Sequence, residues 1–297
     1  MGSSTLPAMK KSPKYIFFTD FDGTITQRDS NDFLTDNLGY GQALRKQGNQ
    51  DVLHDRITFR DSFQGMMDSV KMPYDKCIQT LLENIQLDVG FKAFFSWARE
   101  NNVPVVVLSS GMTPIIRALL IHLVGPEADE IQIVSNDVAP RDGKSINEEG
   151  GWQIVHFGHD KSLEIRPYAQ LPDSERPTMF YAGDGVSDLS AAKETDLLFA
   201  KKDHDKFLSS PTSAHNLLIL SPSLPQTLLE LAKLTSTPDL VAYCVRESVP
   251  FTEFSDWSDI LADVKRIVAG ETTVQQVSAK GLAAFKKSGS QLKTTAK

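Results

Sequence analysis

The sequence is poor in cysteine: only Cys77 and Cys244 occur among its 297 residues. The two positions are far apart and lack the spacing of a metal-binding cysteine pair, and a disulfide-stabilised secreted domain would carry more cysteines. We therefore expect two reduced thiols on apolar helix faces, in a protein of a reducing compartment.

Long hydrophobic runs are also missing. No stretch approaches the about 18 consecutive apolar residues of a membrane-spanning helix. The polar start, residues 1–13, lacks the apolar core of about 7–15 residues that a signal peptide requires. We expect a soluble cytoplasmic protein, with the nucleus as a second location and no membrane partner.

Positive charge is in deficit, since 31 Lys and Arg face 38 Asp and Glu and the net charge is −7. This balance argues against nucleic acid as the main partner. It says little about small anionic substrates, whose binding depends on local fields. The C-terminal residues 278–297 are the exception, with five lysines and no acidic residue. We expect a basic mobile tail there and a disordered tail at residues 1–13.

What the sequence does contain is an apolar run that ends in two carboxylates. Residues 14–19 predict a buried parallel strand, and Asp20 and Asp22 follow it. Ligands of an open α/β sheet bind beyond the carboxyl ends of its strands, and buried carboxylates need a partner such as a cation. Gly23 stands at the fourth place of this turn, whereas an EF-hand loop has its glycine at the sixth. The pair indicates either a cation site or a solvated acidic turn.

Strands and helices then alternate along the chain. Further buried strands are predicted at residues 103–108 and 178–182, shorter strands at 131–134 and 197–200, and an extended segment at 152–156, with helical patterns between most of them. This alternation predicts an α/β fold, a Rossmann-like parallel sheet covered by helices on both faces. The loops after three of the strands would then share one edge of the sheet.

Two segments depart from this alternation. Residues 27–88 carry helical signals without a strong strand, and they predict a small helical module inserted after the first strand. The α/β core would then comprise residues 14–26 and 89–277. Within the core, residues 203–238 form an atypical insert with stretches rich in serine and proline. It is either a surface lobe or translated sequence that the mature message lacks.

Four polar elements occur in a fixed order along the chain. They are Asp20-Phe21-Asp22-Gly23-Thr24, Ser109 after a predicted strand, Lys161, and Gly183-Asp184-Gly185-x-x-Asp188. Each element alone is a weak signal, but the ordered set resembles the haloacid dehalogenase superfamily of phosphatases, in its phosphoserine-phosphatase-like branch. From Lys14 to about Ala279 the chain is similar to the fungal polyol phosphate phosphatases of that branch. Residues 157–162 and 187–193 carry this closer resemblance.

The resemblance implies an Mg²⁺-dependent phosphomonoesterase that works through an aspartyl-phosphate. Asp20 would be the nucleophile, and Asp22 would protonate the leaving oxygen and then activate water. The implied metal ligands are the carboxylates of Asp20 and Asp184, the backbone carbonyl of Asp22, and Asp188 directly or through a water.

The same resemblance implies the contacts to phosphate. Ser109 would donate its hydroxyl to a phosphoryl oxygen, and Lys161 would offset the charge between nucleophile and phosphate. Backbone N–H groups near Gly23 and Gly111 would add further donors. His159 is expected to orient or cap rather than to catalyse.

The helical module at 27–88 would be the cap that selects the substrate, a small phosphate ester. In phosphoserine phosphatases an acidic residue after the first motif contacts the amine, and Asp29 matches it. The cap arginine that binds the carboxylate is replaced by Met66, which cannot pair with that group. We therefore expect a neutral, hydroxyl-rich ester such as a polyol or sugar phosphate, with Asp29, Asn31 and Arg60 as candidate contacts.

Several alternatives stay open at this stage. Phosphoserine hydrolysis, phosphotransfer to a second acceptor, and a catalytically silent binding or regulatory protein on the same fold all fit the motifs. A dehalogenase would have no evident use for Asp22, and a receiver domain would not need the helical module. The oligomeric state is left open.

Overall fold

The structure, a computed structural model, describes residues 6–54, 56–155, 160–185, 188–202, 240–241, 244 and 248–294. A seven-stranded sheet runs through this part of the chain. Its strands are β1 (Tyr15–Thr19), β2 (Val105–Met112), β3 (Gln132–Pro140), β4 (Trp152–Val155), β5 (Thr178–Gly183), β6 (Leu197–Lys201) and β7 (Phe251–Phe254). The strand order is β4-β3-β2-β1-β5-β6-β7, and among these seven strands only the β3–β4 pair is antiparallel.

Helices connect the strands and cover the sheet. They are α1 (Ser30–Leu38), α2 (Gln42–Leu53), α3 (Phe59–Ser69), α4 (Tyr74–Asn84), α5 (Phe91–Glu100), α6 (Thr113–Leu123), α7 (Lys161–Ala169), α8 (Leu189–Ala192), α9 (Trp257–Val268) and α10 (Val274–Thr294). Among the described residues, we find no helix with the length and apolar content of a membrane span. The predicted α/β fold with its mainly parallel sheet is confirmed.

Both faces of the central strand β1 are buried, because its alternate residues pack against different helices. On one face, the ring centroid of Phe17 lies 4.7 Å from that of Phe94 in α5 and 5.5 Å from that of Trp257 in α9. On the other face, the ring centroid of Phe18 lies 5.4 Å from that of Tyr168 in α7. Burial on both faces explains why β1 is a continuous apolar run rather than an alternating pattern.

Strand β2 is longer than the sequence predicts. The sequence predicts a loop at residues 109–111, whereas the strand continues to Met112. Its pairing with β3 shifts register between Leu108 and Met112, and Asn136 Nδ2 donates a hydrogen bond of 2.6 Å to the Ser110 carbonyl oxygen. The polar residues can remain in the irregular strand because a neighbouring side chain satisfies their backbone.

Helices α1–α4 lie between β1 and α5, within the residues 27–88 that are predicted as a helical module. The chain enters and leaves this segment side by side, since Thr26 and Leu87 form an isolated antiparallel bridge. The segment also contacts the β3–β4 hairpin, where the ring centroids of Tyr74 and Trp152 are 5.3 Å apart. We keep the name helical module for residues 27–88.

The start of the chain contacts the core instead of forming only a tail. Of the tail predicted at residues 1–13, the structure describes residues 6–13. Pro7–Met9 form a short 3₁₀ turn, and the buried Ala8 donates its N–H to the Tyr168 hydroxyl at 3.3 Å.

Helix α10 occupies most of the basic tail predicted at residues 278–297. Ser278 Oγ in this helix accepts a hydrogen bond of 3.2 Å from the backbone N–H of Phe251 in β7, and Val277 is buried. The first turns of α10 are therefore packed against the sheet. The insert predicted at residues 203–238 lies outside the described residues.

Lys201, at the end of β6, bonds to both of the connections that link the core to the helical module. Its Nζ donates hydrogen bonds of 2.7 Å to the Gly23 carbonyl oxygen and of 2.7 Å to Asp88 Oδ2. Gly23 lies in the connection that leads from the core to the module, and Asp88 lies in the connection that leads back. The N–H of Asp88 donates to the Ile25 carbonyl oxygen at 2.8 Å. The side chains of Lys201 and Asp88 are only 13% and 8% exposed. Lys201 therefore holds both connections against the sheet.

Replacing Lys201 by methionine should destabilise the fold, because Asp88 would become a buried carboxylate without its cation. We expect Lys201→Met to lower the free energy of unfolding by about 3–5 kcal/mol. The double variant Lys201→Met/Asp88→Leu removes both charges and should recover much of that loss. Urea denaturation of the three proteins measures the difference, and equal destabilisation of the single and double variants would contradict this role.

Candidate active site

The predicted site residues meet at the carboxyl edge of the central strands. Polar residues stand at this edge in β2 and after β1 and β5, and helices α7 and α8 begin there. The residues brought together are Asp20 and Asp22 after β1, Ser109 and Gly111 in β2, Lys161 at the start of α7, Asp184 after β5 and Asp188 before α8. An open α/β sheet binds its ligands at this position.

Lys161 is completely buried and contacts two carboxylates. Its Nζ lies 3.0 Å from Asp20 Oδ1 and 2.7 Å from Asp188 Oδ1. Asp160 caps α7 by accepting a hydrogen bond of 3.0 Å from Ser162 N, so the helix begins at Lys161 itself. Burial opposes the charge of the ammonium group, but the two carboxylates together raise the pKa of Lys161 above its ordinary value. The lysine therefore stays positively charged.

Asp188 is held by four hydrogen-bond donors. Its Oδ1 accepts from Lys161 Nζ at 2.7 Å and from the Tyr181 hydroxyl at 2.5 Å. Its Oδ2 accepts from the backbone N–H groups of Asp184 and Gly185, each at 3.0 Å. Each carboxylate oxygen thus accepts two bonds, which is about its full capacity. Asp188 orients both Lys161 and the loop that carries Asp184.

Tyr181 is a functional residue that sequence reasoning missed. It lies in β5, within a stretch predicted only as a buried strand, and it is fully buried. A tyrosine hydroxyl in an otherwise apolar buried strand needs a hydrogen-bond partner. That requirement is the signal that the sequence offers, and Asp188 is the partner.

Two glycines make room for the acidic side chains. Gly23 has a φ of +76°, and a Cβ at this position would lie 2.3 Å from Asp184 Oδ2. A Cβ at Gly183 would lie 2.4 Å from the Asp188 carboxylate. Both distances are far below van der Waals contact, so a side chain at either position would displace a carboxylate of the site.

Asp22 has different neighbours from Asp20, although only Phe21 separates them. Ser30 N donates a hydrogen bond of 2.8 Å to Asp22 Oδ1, and Asn31 Nδ2 donates one of 2.9 Å to Asp22 Oδ2. Both donors belong to the first turn of α1 and therefore to the helical module. The core lysine contacts Asp20, whereas the module holds Asp22.

Burial raises the pKa of both aspartates, but their neighbours act differently. The pKa of Asp20 rises from its ordinary 3.8 to about 7 because of burial, with Lys161 opposing the rise. Burial also raises the pKa of Asp22 well above its ordinary value, with the charge of Asp29 adding to the rise and Ser30 N–H opposing it. Lys161 favours the charged form of Asp20, as a nucleophile requires. The surroundings of Asp22 favour the protonated form, as an acid requires.

Three carboxylates are close enough together to share a metal ion. Oxygen atoms of Asp20, Asp184 and Asp188 all lie within 4.8 Å of one another. Burial, and then the charges of Asp20 and Asp188, raise the pKa of Asp184 well above its ordinary value. A divalent cation would relieve this repulsion, and oxygen donors suit Mg²⁺. Because Asp188 already accepts four hydrogen bonds, Asp20 and Asp184 are the carboxylates better placed to coordinate the ion.

Ser109 is buried and does not cap a helix. Its Oγ accepts a hydrogen bond of 3.0 Å from Gly111 N, and α6 begins only at Thr113, without a side-chain cap. The Gly111 N–H, predicted as a phosphate donor, is thereby engaged by Ser109. Because Ser109 Oγ is the acceptor in this bond, its hydroxyl proton stays available for donation.

The three predicted substrate contacts of the helical module have different settings. Asp29 caps α1, where its Oδ1 accepts hydrogen bonds of 2.7 and 2.8 Å from two N–H groups of the first turn. Asn31 is buried and bonded to Asp22. Arg60 is exposed near the start of α3. Asn31 thus contacts a predicted catalytic residue directly, whereas Asp29 has a local capping role.

The helical module buries a different arginine, which sequence reasoning did not single out. Arg45 of α2 is 8% exposed. Its Nε and Nη2 donate hydrogen bonds of 2.6 and 2.9 Å to Asp36, and its Nη1 donates one of 2.5 Å to Asp32. Met66 is buried in the same module. The guanidinium of Arg45 is therefore already engaged by two carboxylates of the protein.

Comparison with known proteins identifies the family behind this arrangement. The family model of haloacid dehalogenase-like hydrolases matches residues 17–193. The chain belongs to the haloacid dehalogenase-like hydrolase family. The matched residues extend from β1 to just beyond α8, and they contain all four of the ordered elements found in the sequence.

Two relatives extend the similarity over most of the chain. Pdp3-interacting factor 1 of Schizosaccharomyces pombe is 44% identical over 265 residues, which cover 87% of this chain and 98% of the relative. Polyol phosphate phosphatase PYP1 of Saccharomyces cerevisiae is 44% identical over 276 residues, which cover 89% of this chain and 98% of the relative. The predicted enzyme class, a phosphatase of this family, is confirmed.

A solved structure supports the fold. A haloacid dehalogenase-family hydrolase from Salmonella enterica serovar Typhi has a TM-score of 0.51 with this chain at 17% sequence identity. The superposition covers 64% of this chain and 63% of that one. At this identity the likeness concerns the fold alone.

The raised pKa of Asp20 predicts that stability depends on pH when no divalent cation is present. The carboxyl pKa is 3.8 ordinarily and about 7 in the folded protein, so the folded state holds an extra proton between these values. This extra proton stabilises the folded state. Its contribution to the free energy of unfolding is complete below the lower pKa and is lost as the pH rises through the higher one, by about 1.4 kcal/mol per pH unit at most. In EDTA, the stability of Asp20→Asn relative to wild type should therefore increase as the pH rises from about 5 to about 7, because only the wild type loses this contribution.

The measurement is the free energy of unfolding of both proteins across this pH range. Mg²⁺ should stabilise the wild type at the upper end of the range, because it favours the charged carboxylates. Asp173→Asn, at an exposed position, is the matched control. A difference between Asp20→Asn and wild type that does not change with pH would contradict the raised pKa.

Proposed function

We propose that the protein is an Mg²⁺-dependent phosphomonoesterase that hydrolyses small phosphorylated metabolites through an aspartyl-phosphate on Asp20. The observation that carries this proposal is the buried Lys161 between Asp20 and Asp188, beside an Asp22 that is held separately. A phosphate monoester dianion repels an attacking carboxylate, so the site must offset charge and align the attack. A buried lysine beside the nucleophile serves the first need.

The two aspartates divide the reaction between them. An Asp20 carboxylate oxygen attacks phosphorus as the bond from phosphorus to the ester oxygen breaks. Asp22 donates its proton to that leaving oxygen, so a neutral alcohol departs and the aspartyl-phosphate remains. Asp22 then takes a proton from water, whose oxygen attacks phosphorus. The bond to Asp20 breaks, inorganic phosphate leaves, and both side chains return to their starting states.

Other groups would bind and orient the phosphoryl group. Lys161 offsets part of its charge, and Ser109 donates its free hydroxyl proton to a phosphoryl oxygen. Mg²⁺ bound by Asp20, Asp184 and the backbone carbonyl of Asp22 would supply the remaining positive charge.

The favoured substrates are polyol or sugar phosphates. The relative from Saccharomyces cerevisiae, 44% identical to this chain, is named a polyol phosphate phosphatase. Two features of the helical module agree with a neutral ester: Met66 offers no cation to a carboxylate, and Arg45 is already paired with Asp32 and Asp36. Asn31 Oδ1 is buried and has no partner among the described residues. It is an acceptor that a substrate hydroxyl would satisfy.

The same features count against phosphoserine. The Asp29 carboxylate, expected to contact the amine in a phosphoserine enzyme, accepts two hydrogen bonds from its own helix. A substrate carboxylate without a cationic partner would lose several kcal/mol of binding energy, on the order of a buried unpaired charge.

A phosphatase screen with Mg²⁺ tests the proposal. The purified protein should release inorganic phosphate from polyol and sugar phosphates with a kcat/KM at least about 10-fold higher than that for phosphoserine. Asp20→Asn should lower kcat by about 1,000-fold or more, because an amide oxygen cannot replace the nucleophilic carboxylate. EDTA should abolish the activity.

Each outcome bears on a different part of the proposal. Near-normal activity in Asp20→Asn would contradict the nucleophile, and a preference for phosphoserine would contradict the substrate class. Failure to hydrolyse any ester, or product formation only with an added phosphoryl acceptor, would contradict hydrolysis. Asp173→Asn should behave like the wild type throughout.

A further inference from the structure

Asn31 contacts the site through the acid/base and not through the nucleophile. The residue is 4% exposed, and its Nδ2 lies 2.9 Å from Asp22 Oδ2. The cap formed by Asp29 fixes the first turn of α1 and therefore the position from which the Asn31 side chain extends. The contact is a buried hydrogen bond between an amide of the helical module and a carboxylate of the core.

Donors from Ser30 and Asn31 in α1 determine the orientation of the Asp22 carboxylate. Ser30 N holds Oδ1 at 2.8 Å, and Asn31 Nδ2 holds Oδ2 at 2.9 Å. A Cβ at Gly111 would lie 3.1 Å from the same Oδ2, so this oxygen fits closely between the amide and the β2 backbone. Ser30 donates from its backbone N–H and also contacts Asp22 through its side chain, whereas Asn31 contacts Oδ2 through its side-chain amide.

We propose that Asn31 is a positioning residue that holds Asp22 in the orientation from which it protonates the leaving oxygen. This inference rests on the proposed function, and it gives Asn31 a task separate from binding the substrate. Without the amide, Asp22 keeps only its contacts to Ser30 and can rotate about its side-chain bonds. Misplacement of a catalytic group by about 1 Å can lower the rate about 100-fold.

The leaving group distinguishes this role from a merely structural one. An alkoxide is a strong base and departs only with a proton from Asp22, whereas p-nitrophenolate is a weak base that departs unaided. Loss of orientation at Asp22 should therefore lower kcat/KM for alkyl phosphates and spare kcat/KM for p-nitrophenyl phosphate, because kcat/KM reports the step that releases the alcohol and not the later attack of water. A variant with a generally damaged site would lose activity towards both kinds of ester.

The experiment compares kcat/KM of full-length wild type and Asn31→Leu, with Mg²⁺, on glycerol 3-phosphate, propyl phosphate and p-nitrophenyl phosphate. Leucine has a similar shape to asparagine but no donor. We expect a loss of about 100-fold on propyl phosphate, a loss at least as large on glycerol 3-phosphate, whose hydroxyls also lose the Asn31 Oδ1 acceptor, and a loss of less than about 3-fold on the aryl ester. Asn31→Ser, whose side chain is too short to reach Asp22, should show the same selectivity if the leucine variant does not fold. Asn37→Leu, at an exposed position on α1, should leave all three values unchanged.

Two kinetic results would overturn the proposal. An equal loss on all three esters would assign Asn31 a structural role. A loss confined to glycerol 3-phosphate and expressed in KM would assign it to substrate binding.

A crystal structure of Asn31→Leu tests the same point without activity. We expect the Asp22 carboxylate to leave its position between Ser30 N and Gly111, and an unchanged position would overturn the proposal. If the wild type hydrolyses none of the three esters, the proposed function fails, and the crystal structure still decides whether Asn31 positions Asp22.

Discussion

The buried ammonium group of Lys161 is the interaction on which the rest of the site depends. A buried lysine needs charged partners, because its desolvation is costly, and Asp20 and Asp188 lie within 3.0 Å of it. To bring them there, β1 must end just before Asp20 and α7 must begin at Lys161 itself. The chain must also turn after Gly183 so that Asp188 returns to β5, where Tyr181 donates to it. Strand ends, helix starts and glycines of the core are all constrained by this contact.

The protein gives two neighbouring aspartates different surroundings by holding them with different parts of the chain. Asp20 faces the core lysine, whereas Asp22 is held by Asn31 and the first turn of the helical module. The connection from the core to that module lies directly beside them, and Lys201 holds it by a hydrogen bond to the carbonyl oxygen of Gly23. The proposed acid/base therefore has its hydrogen-bond donors only when the module is in place, which would link the segment that selects the substrate to the proton transfer.

Much of this arrangement is visible in the sequence, because strands buried on both faces are continuous apolar runs and the polar residues stand near their ends. The four ordered elements could thus be assembled without coordinates. Local sequence patterns do not show in which direction a polar side chain points. Whether Asn31 contacts a substrate or Asp22 depends on where the connection from the core places α1. The sequence predicts only a substrate contact. Ser109 stays within β2 because Asn136 of the next strand holds the neighbouring backbone. The strand pattern around Tyr181 indicates only burial and does not show that its hydroxyl points to Asp188.

A covalent intermediate on Asp20 is the central claim, and chemical trapping tests it most directly. The protein is mixed with glycerol 3-phosphate and Mg²⁺, quenched with borohydride, which reduces an acyl phosphate to an alcohol, and digested for peptide mass spectrometry. We predict that Asp20 is converted to homoserine during turnover and is unchanged when the substrate is omitted. Conversion of another aspartate, or no conversion at any aspartate while phosphate is being released, would contradict a nucleophilic Asp20.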